Sequence, residues 1–129
     1  MPRFGRPDAR RALGALGERL AERHLRQLGY RILARNLRWR DGELDLVALE
    51  GDALCFIEVR ARSSRRFGAA EESIDARKRS RIVRAARRAL AEHRWPRHGR
   101  LRFDVVAIDA AHEPPKLRLL RDAFRADGL

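Results

Sequence analysis

The stretch whose reading decides the fold is GELDLVALEGDALCFIEVRAR, residues 42–62, in which Glu43, Asp45 and Glu58 stand among Leu44, Leu46, Val47, Phe56, Ile57 and Val59. Strand interiors ordinarily exclude carboxylates, so these three need a reason. Gly51 and Asp52 form a two-residue turn suited to the primed geometry that closes tight hairpins. With Glu50 opposite Ala53, the register sets Val47 against Phe56, Asp45 against Glu58 and Glu43 against Arg60, all on one side of the hairpin. The other side pairs Leu44 with Val59, Leu46 with Ile57 and Ala48 with Cys55, a continuous apolar face that is the expected core.

Carboxylates opposed across a hairpin lie within roughly 5 Å at Cβ, and like charges placed so repel. A shared proton relieves this, and so does a hard divalent cation such as Mg²⁺, which takes carboxylate and carbonyl oxygens with several waters. Asp45 and Glu58 are therefore the candidate ligands, and Glu43 is the expected ion-pair partner of Arg60. The plain alternative is an edge hairpin whose polar face meets water.

On the N-terminal side, Leu13, Leu16, Leu20, Leu25 and Leu28 recur at helical spacing over residues 8–28, and Gly29 supplies a stop. Glu18 falls on the border of that stripe and can reach a cleft beside the sheet; Glu22 lies further toward solvent. YRILARNLRW then reads as a first strand. On the C-terminal side, the polar loop SSRRFGAAEES leads into a helix over residues 74–94 with an apolar line of Ile74, Ile82, Val83, Ala86 and Leu90. Its remaining surface is basic. LRFDVVAID is a further strand with Asp104 inside it, and KLRLLRDAF can add a fifth after the Pro114 and Pro115 break. The reading is a single α/β domain over residues 1–129, ordered from about 8 to 120, in which a small mixed sheet with a central carboxylate hairpin is flanked by helices.

The net charge of +12 attracts polyanions, nucleic acid first and an anionic membrane surface second. The lone cysteine, Cys55, lies in an apolar run and reads as a buried small hydrophobe. No run approaches the length of a membrane span, and a soluble, cytoplasmic protein is expected. His24, His93, His98 and His112 are scattered without zinc spacing and read as surface residues.

The order GERLAERHLRQLGYRIL, GELDLVA, FIEVRAR, RKRSRIV and RFDVVAI, over residues 14–108, resembles the YraN-like family of uncharacterised bacterial proteins. That family resembles the restriction-endonuclease-like, PD-(D/E)xK superfamily, near the archaeal Holliday-junction resolvases. The resemblance implies a metal-dependent nuclease in which Asp45 and Glu58 bind Mg²⁺ or Mn²⁺, with the Val59 carbonyl as a further ligand. Glu18 matches the acidic residue that resolvase-like nucleases bring from the first helix. Arg60 stands where the superfamily has lysine, and a guanidinium steadies charge but does not readily give up a proton. The catalytic set it implies is Glu18, Asp45, Glu58 and Arg60.

Arg62, Arg65, Arg66, Arg77, Lys78, Arg81 and Arg84 are the residues expected to hold the phosphate backbone, with DNA ahead of RNA, recognised by structure rather than sequence. By analogy with the resolvases, a homodimer is expected. Two other readings stay open: a binding module of the same fold that has lost catalysis, and a basic scaffold that docks on ribosome, membrane or protein.

Overall fold

Five strands follow one another across the sheet in chain order in the computed structural model, which describes residues 6–62 and 74–126, with the side chains of residues 6–13 outside the description. The order is α1 (Arg6–Gln27), β1 (Arg31–Trp39), β2 (Gly42–Glu50), β3 (Ala53–Arg62), α2 (Ala76–Glu92), β4 (Arg100–Asp109) and β5 (Lys116–Phe124). Neighbours are antiparallel except β3 and β4, which run parallel and are joined through α2. A parallel pair needs such a crossover, and the amphipathic α2 supplies it. The sheet is thus mixed, and the ordered fold extends beyond the expected 8–120 at both ends, since α1 starts at Arg6 and β5 runs to Phe124.

The hairpin pairs as the turn requires from Glu50↔Ala53 to Leu46↔Ile57. There the regular register stops, short of the expected Asp45–Glu58 and Glu43–Arg60 pairs. Beyond it the Asp45 carboxylate accepts the Val59 N–H at 2.8 Å. Strand alternation fails at the same point: Leu44 joins Val47 and Phe56 in the core under α2, while Leu46, Ala48, Cys55 and Ile57 line the core under α1. The expected single apolar face is therefore two buried faces. Glu43 pairs with Arg38, its neighbour across β1–β2, at 3.6 Å.

Helix α1 also packs differently from its leucine pattern. Leu16 and Leu28 are exposed, and the contact line is Gly17, Ala21 and Leu25, at i, i+4 spacing. Small side chains let the helix come close: a Cβ on Gly17 would sit 3.2 Å from the Ala61 Cβ. Glu22, expected toward solvent, is clamped between Arg26 and Arg35, and its pKa is lowered by the Arg35 hydrogen bonds. Helix α2 opens on Asp75, whose side chain accepts the Lys78 N–H at 2.9 Å and satisfies a first-turn donor. It buries Ile82, Ala85, Ala86 and Ala89.

Gly42 marks the closest approach of α2 to the sheet, for a Cβ there would stand 2.5 Å from the Arg81 carbonyl oxygen. A backbone atom cannot swing aside. Gly42→Ala is expected to cost about 1–3 kcal/mol in urea unfolding. Gly14→Ala, in helical backbone with open space around it, is expected to stabilise by about 0.5–1 kcal/mol. Equal effects at the two glycines would contradict the packing described.

Candidate active site

Strand β3 is paired on both edges and covered on both faces, yet Glu58 is on it and only 5% exposed. The charge-bearing groups around it come from three other elements. From β2, Asp45 hydrogen-bonds to the Glu58 carboxyl. From α2, the Lys78 Nζ lies 3.3 Å from Glu58 Oε2 and is itself three-quarters enclosed, with 24% of the side chain exposed. The Asp75 cap fixes the turn of α2 that delivers it. From α1, Glu18 faces Asp45 across a cleft of about 280 Å³ lined by Gly14, Glu18, Asp45, Val59, Arg60, Ala61 and Arg62.

Burial is the largest influence on Glu58, and the neighbouring Asp45 adds to it, so the Glu58 pKa is pushed up to about 8 against the pull of Lys78 and Arg60. Of the two carboxyls, Glu58 is therefore the one whose neutral form is favoured. Glu18 is shifted the same way, first by burial and then by the Asp45 charge, with an opposing hydrogen bond from Asn36. Asn36 makes that contact from a left-handed backbone at φ 51° on β1, a conformation that asparagine tolerates better than most residues.

The sequence-derived residues thus divide. Glu18, Asp45, Val59, Arg60 and Arg62 line one cleft, and Glu58 meets Lys78 beside Asp45. Glu18 stands across from the pair without closing a cluster: among the described residues no group of three or more His, Cys, Asp and Glu is gathered in a metal-binding arrangement. Arg77, Arg81 and Arg84 are exposed along α2. Arg65 and Arg66 lie outside the described residues. Asn36 had no signal in the sequence; Lys78, counted among the phosphate contacts, was also a residue of the basic helix able to reach the site, without a pattern to place it there.

The far end of the sheet holds a second acidic group, arranged in the opposite way. Asp104, fully buried, accepts from Tyr30 Oη (2.8 Å), Arg102 Nε (2.9 Å), Arg102 Nη2 (2.8 Å) and the Asp122 N–H (2.9 Å). Glu50 takes Arg121 and Arg102, and these bonds hold its pKa down to about 2. A cleft of about 770 Å³ opens beside this network, but its arginines are already matched: Arg100 to Asp52, Arg102 and Arg121 to Glu50, Arg125 to Asp122. Balanced charge and full hydrogen bonding mark it as a fastening of β1, β2, β4 and β5.

The fold and this site define a basic, mixed α/β protein with an under-compensated carboxylate pair beside a cationic cleft. The chain belongs to the uncharacterised protein family UPF0102, whose model matches residues 17–108. It is 48% identical to a UPF0102 protein of Xanthomonas euvesicatoria pv. vesicatoria (strain 85-10), over 94% of this chain and 98% of that one. Similar relatives are UPF0102 proteins of Stutzerimonas stutzeri (strain A1501), 46% identical over 88% and 94% of the two chains, and of Pseudomonas aeruginosa (strain LESB58), 45% over 92% and 97%. No helix among the described residues is long and apolar enough to cross a membrane.

The Glu58 shift has a definite sign. A carboxyl whose folded pKa lies above its unfolded value of 4.5 stabilises the fold below that value and loses this contribution as pH rises through about 8. In chelator, wild type is expected to lose stability between about pH 5 and about pH 9, and Glu58→Gln to lose distinctly less. Urea melts at the two pH values measure this, and identical pH profiles would refute the raised Glu58 pKa.

Proposed function

We propose that this protein binds nucleic acid and hydrolyses phosphodiester bonds with the aid of a divalent cation, in a domain of the restriction-endonuclease-like kind. The observation that carries the reading is the contact of Lys78 with Glu58 beside Asp45. It supplies, from α2, the ammonium group that Arg60 replaces in the hairpin. The mixed sheet with a parallel β3–β4 pair and the ordered sequence motifs agree with that fold.

The chain's own residues fit a hard cation. Asp45 accepts the Val59 N–H with one oxygen, and Glu58 meets the Lys78 ammonium with one of its own. A carboxyl whose charge is disfavoured first by burial and then by a neighbouring carboxylate gains from a dication that neutralises it. Asp45, Glu58 and the Val59 carbonyl would hold Mg²⁺ or Mn²⁺, with Glu18 across the cleft. When bound, the cation supplies Lewis-acid polarisation of the phosphate and of the attacking water.

Lys78 has a point charge on a flexible stem in an enclosed site, so it orients a water and steadies charge developing on phosphorus. Arg60 and Arg62, lining the cleft, steady the phosphate oxygens. The exposed Arg77, Arg81 and Arg84 grip the backbone, which gives affinity without sequence preference.

Lys78→Ala is expected to lower metal-dependent cleavage by about 10²- to 10³-fold, the scale for removing one preorganised charge-stabilising donor. Arg60→Lys should retain or raise it. Asp45→Asn should lose both cleavage and, in calorimetric titration, Mn²⁺ affinity. Branched, flapped, single-stranded and duplex substrates form the panel. If wild type binds them all and cuts none, the protein is a binding module instead, as the Arg60 replacement would favour.

A further inference from the structure

At the C-terminal end of α2 three aromatic rings meet. The His93 ring lies 6.5 Å from Trp39 at 68° and 5.7 Å from Trp95 at 58°, centroid to centroid. These steep angles mean that the rings brace one another without stacking face on face. His93 is exposed, and both indoles are partly so. Trp95 has a clear structural duty, since its Nε1–H donates to the Ala89 carbonyl at 2.9 Å and closes the end of the helix. Trp39, at the end of edge strand β1, donates to the exposed Glu92 at 3.1 Å. That bond fixes the indole at the surface without burying it.

The surroundings are cationic. Arg40 follows Trp39, and Arg94 and Arg97 flank Trp95; all three are exposed and none pairs with an acid among the described residues. A line of arginines at i, i+4, i+7 and i+11, namely Arg77, Arg81, Arg84 and Arg88, runs along α2 from the turn that carries Lys78 to these rings. From Lys78 to Glu92 the helix covers on the order of 20 Å at about 1.5 Å per residue.

Partly exposed indoles and an exposed imidazole beside Arg40, Arg94 and Arg97, with Arg88 held by Asp41 and the rest of the line open, fit an anionic polymer whose bases are free to stack. In a duplex those faces are already used, whereas a single strand offers a π-face at every base. We propose that Trp39 and His93 form a stacking platform for unpaired bases, and that a single-stranded segment runs from this platform along the arginine line toward Glu58 and Lys78. The proposal rests on the nucleic-acid reading above and narrows it to substrates with single-stranded character.

The chain's only tryptophans are Trp39 and Trp95, so intrinsic fluorescence reports directly on the platform. The probes are an oligothymidylate of about 15 nucleotides, near the upper end of what one small single-strand-binding domain covers, and a blunt duplex of equal length. Quenching by the single strand, much weaker with the duplex, is expected. Trp39→Ala and His93→Ala should each weaken single-strand affinity about fivefold or more and leave duplex affinity within twofold, with Trp39→Phe restoring most of the loss.

Equal losses on both probes, or no rescue by Phe, would reduce the rings to a structural role and overturn the proposal. So would duplex binding that depends on Arg77, Arg81 and Arg84 without single-strand quenching, which leaves the nucleic-acid reading standing. Failure of both probes to bind, with quenching by an acidic peptide instead, would overturn both.

Discussion

A carboxyl on a strand paired on both edges is the constraint around which this structure is arranged. β3 has neighbours on both edges and a helix over each face, so Glu58 can meet neither water nor a distant counter-ion. Its partners must be carried in. β2 leaves the regular register at Leu46↔Ile57 so that Asp45 reaches the Val59 N–H and the Glu58 carboxyl. α2 lies close enough on Gly42 to bring Lys78 alongside. α1 turns its small residues inward, and that close approach puts Glu18 opposite Asp45.

The two acidic groups of the sheet show why one is a candidate site and the other a fastening. Asp104 receives four donors and Glu50 two arginines, so the acids of this group are matched by donors. Glu58 has Lys78 and the charge of Arg60 set against burial and the neighbouring Asp45, and burial wins, so its neutral form is favoured. Perturbed carboxyls in a cleft beside free space mark functional sites more often than saturated networks do. The difference lies in the donors supplied, since the acids themselves are of the same kind.

Much of this was legible in the residues. Gly51 and Asp52 fixed the turn, and alternation fixed the register as far as ladder hydrogen bonds govern it. The five strands and both helices follow from periodicity. What escaped depends on side chains acting at a distance. The break at Asp45 needs its carboxylate to capture a backbone donor from β3, which no hydrophobic pattern records. The contact line of α1 consists of glycine and alanine, whose weak apolar signal was outvoted by Leu16 and Leu28. The partner of Glu43 depends on the register of β1, which contains an irregularity between Ile32 and Ala34. The reach of Lys78 depends on how α2 is rotated over the sheet, and a single helix pattern does not fix that.

Glu58, beside Asp45, is proposed to hold a proton in the place of a divalent cation. This is tested most directly by calorimetric titration of Mn²⁺ into the protein at about pH 7, in two buffers of different ionisation enthalpy, which counts protons released on binding. The account predicts one bound ion with release of close to one proton, and loss of that release in Glu58→Gln. Binding without proton release, or release unchanged in Glu58→Gln, would contradict it.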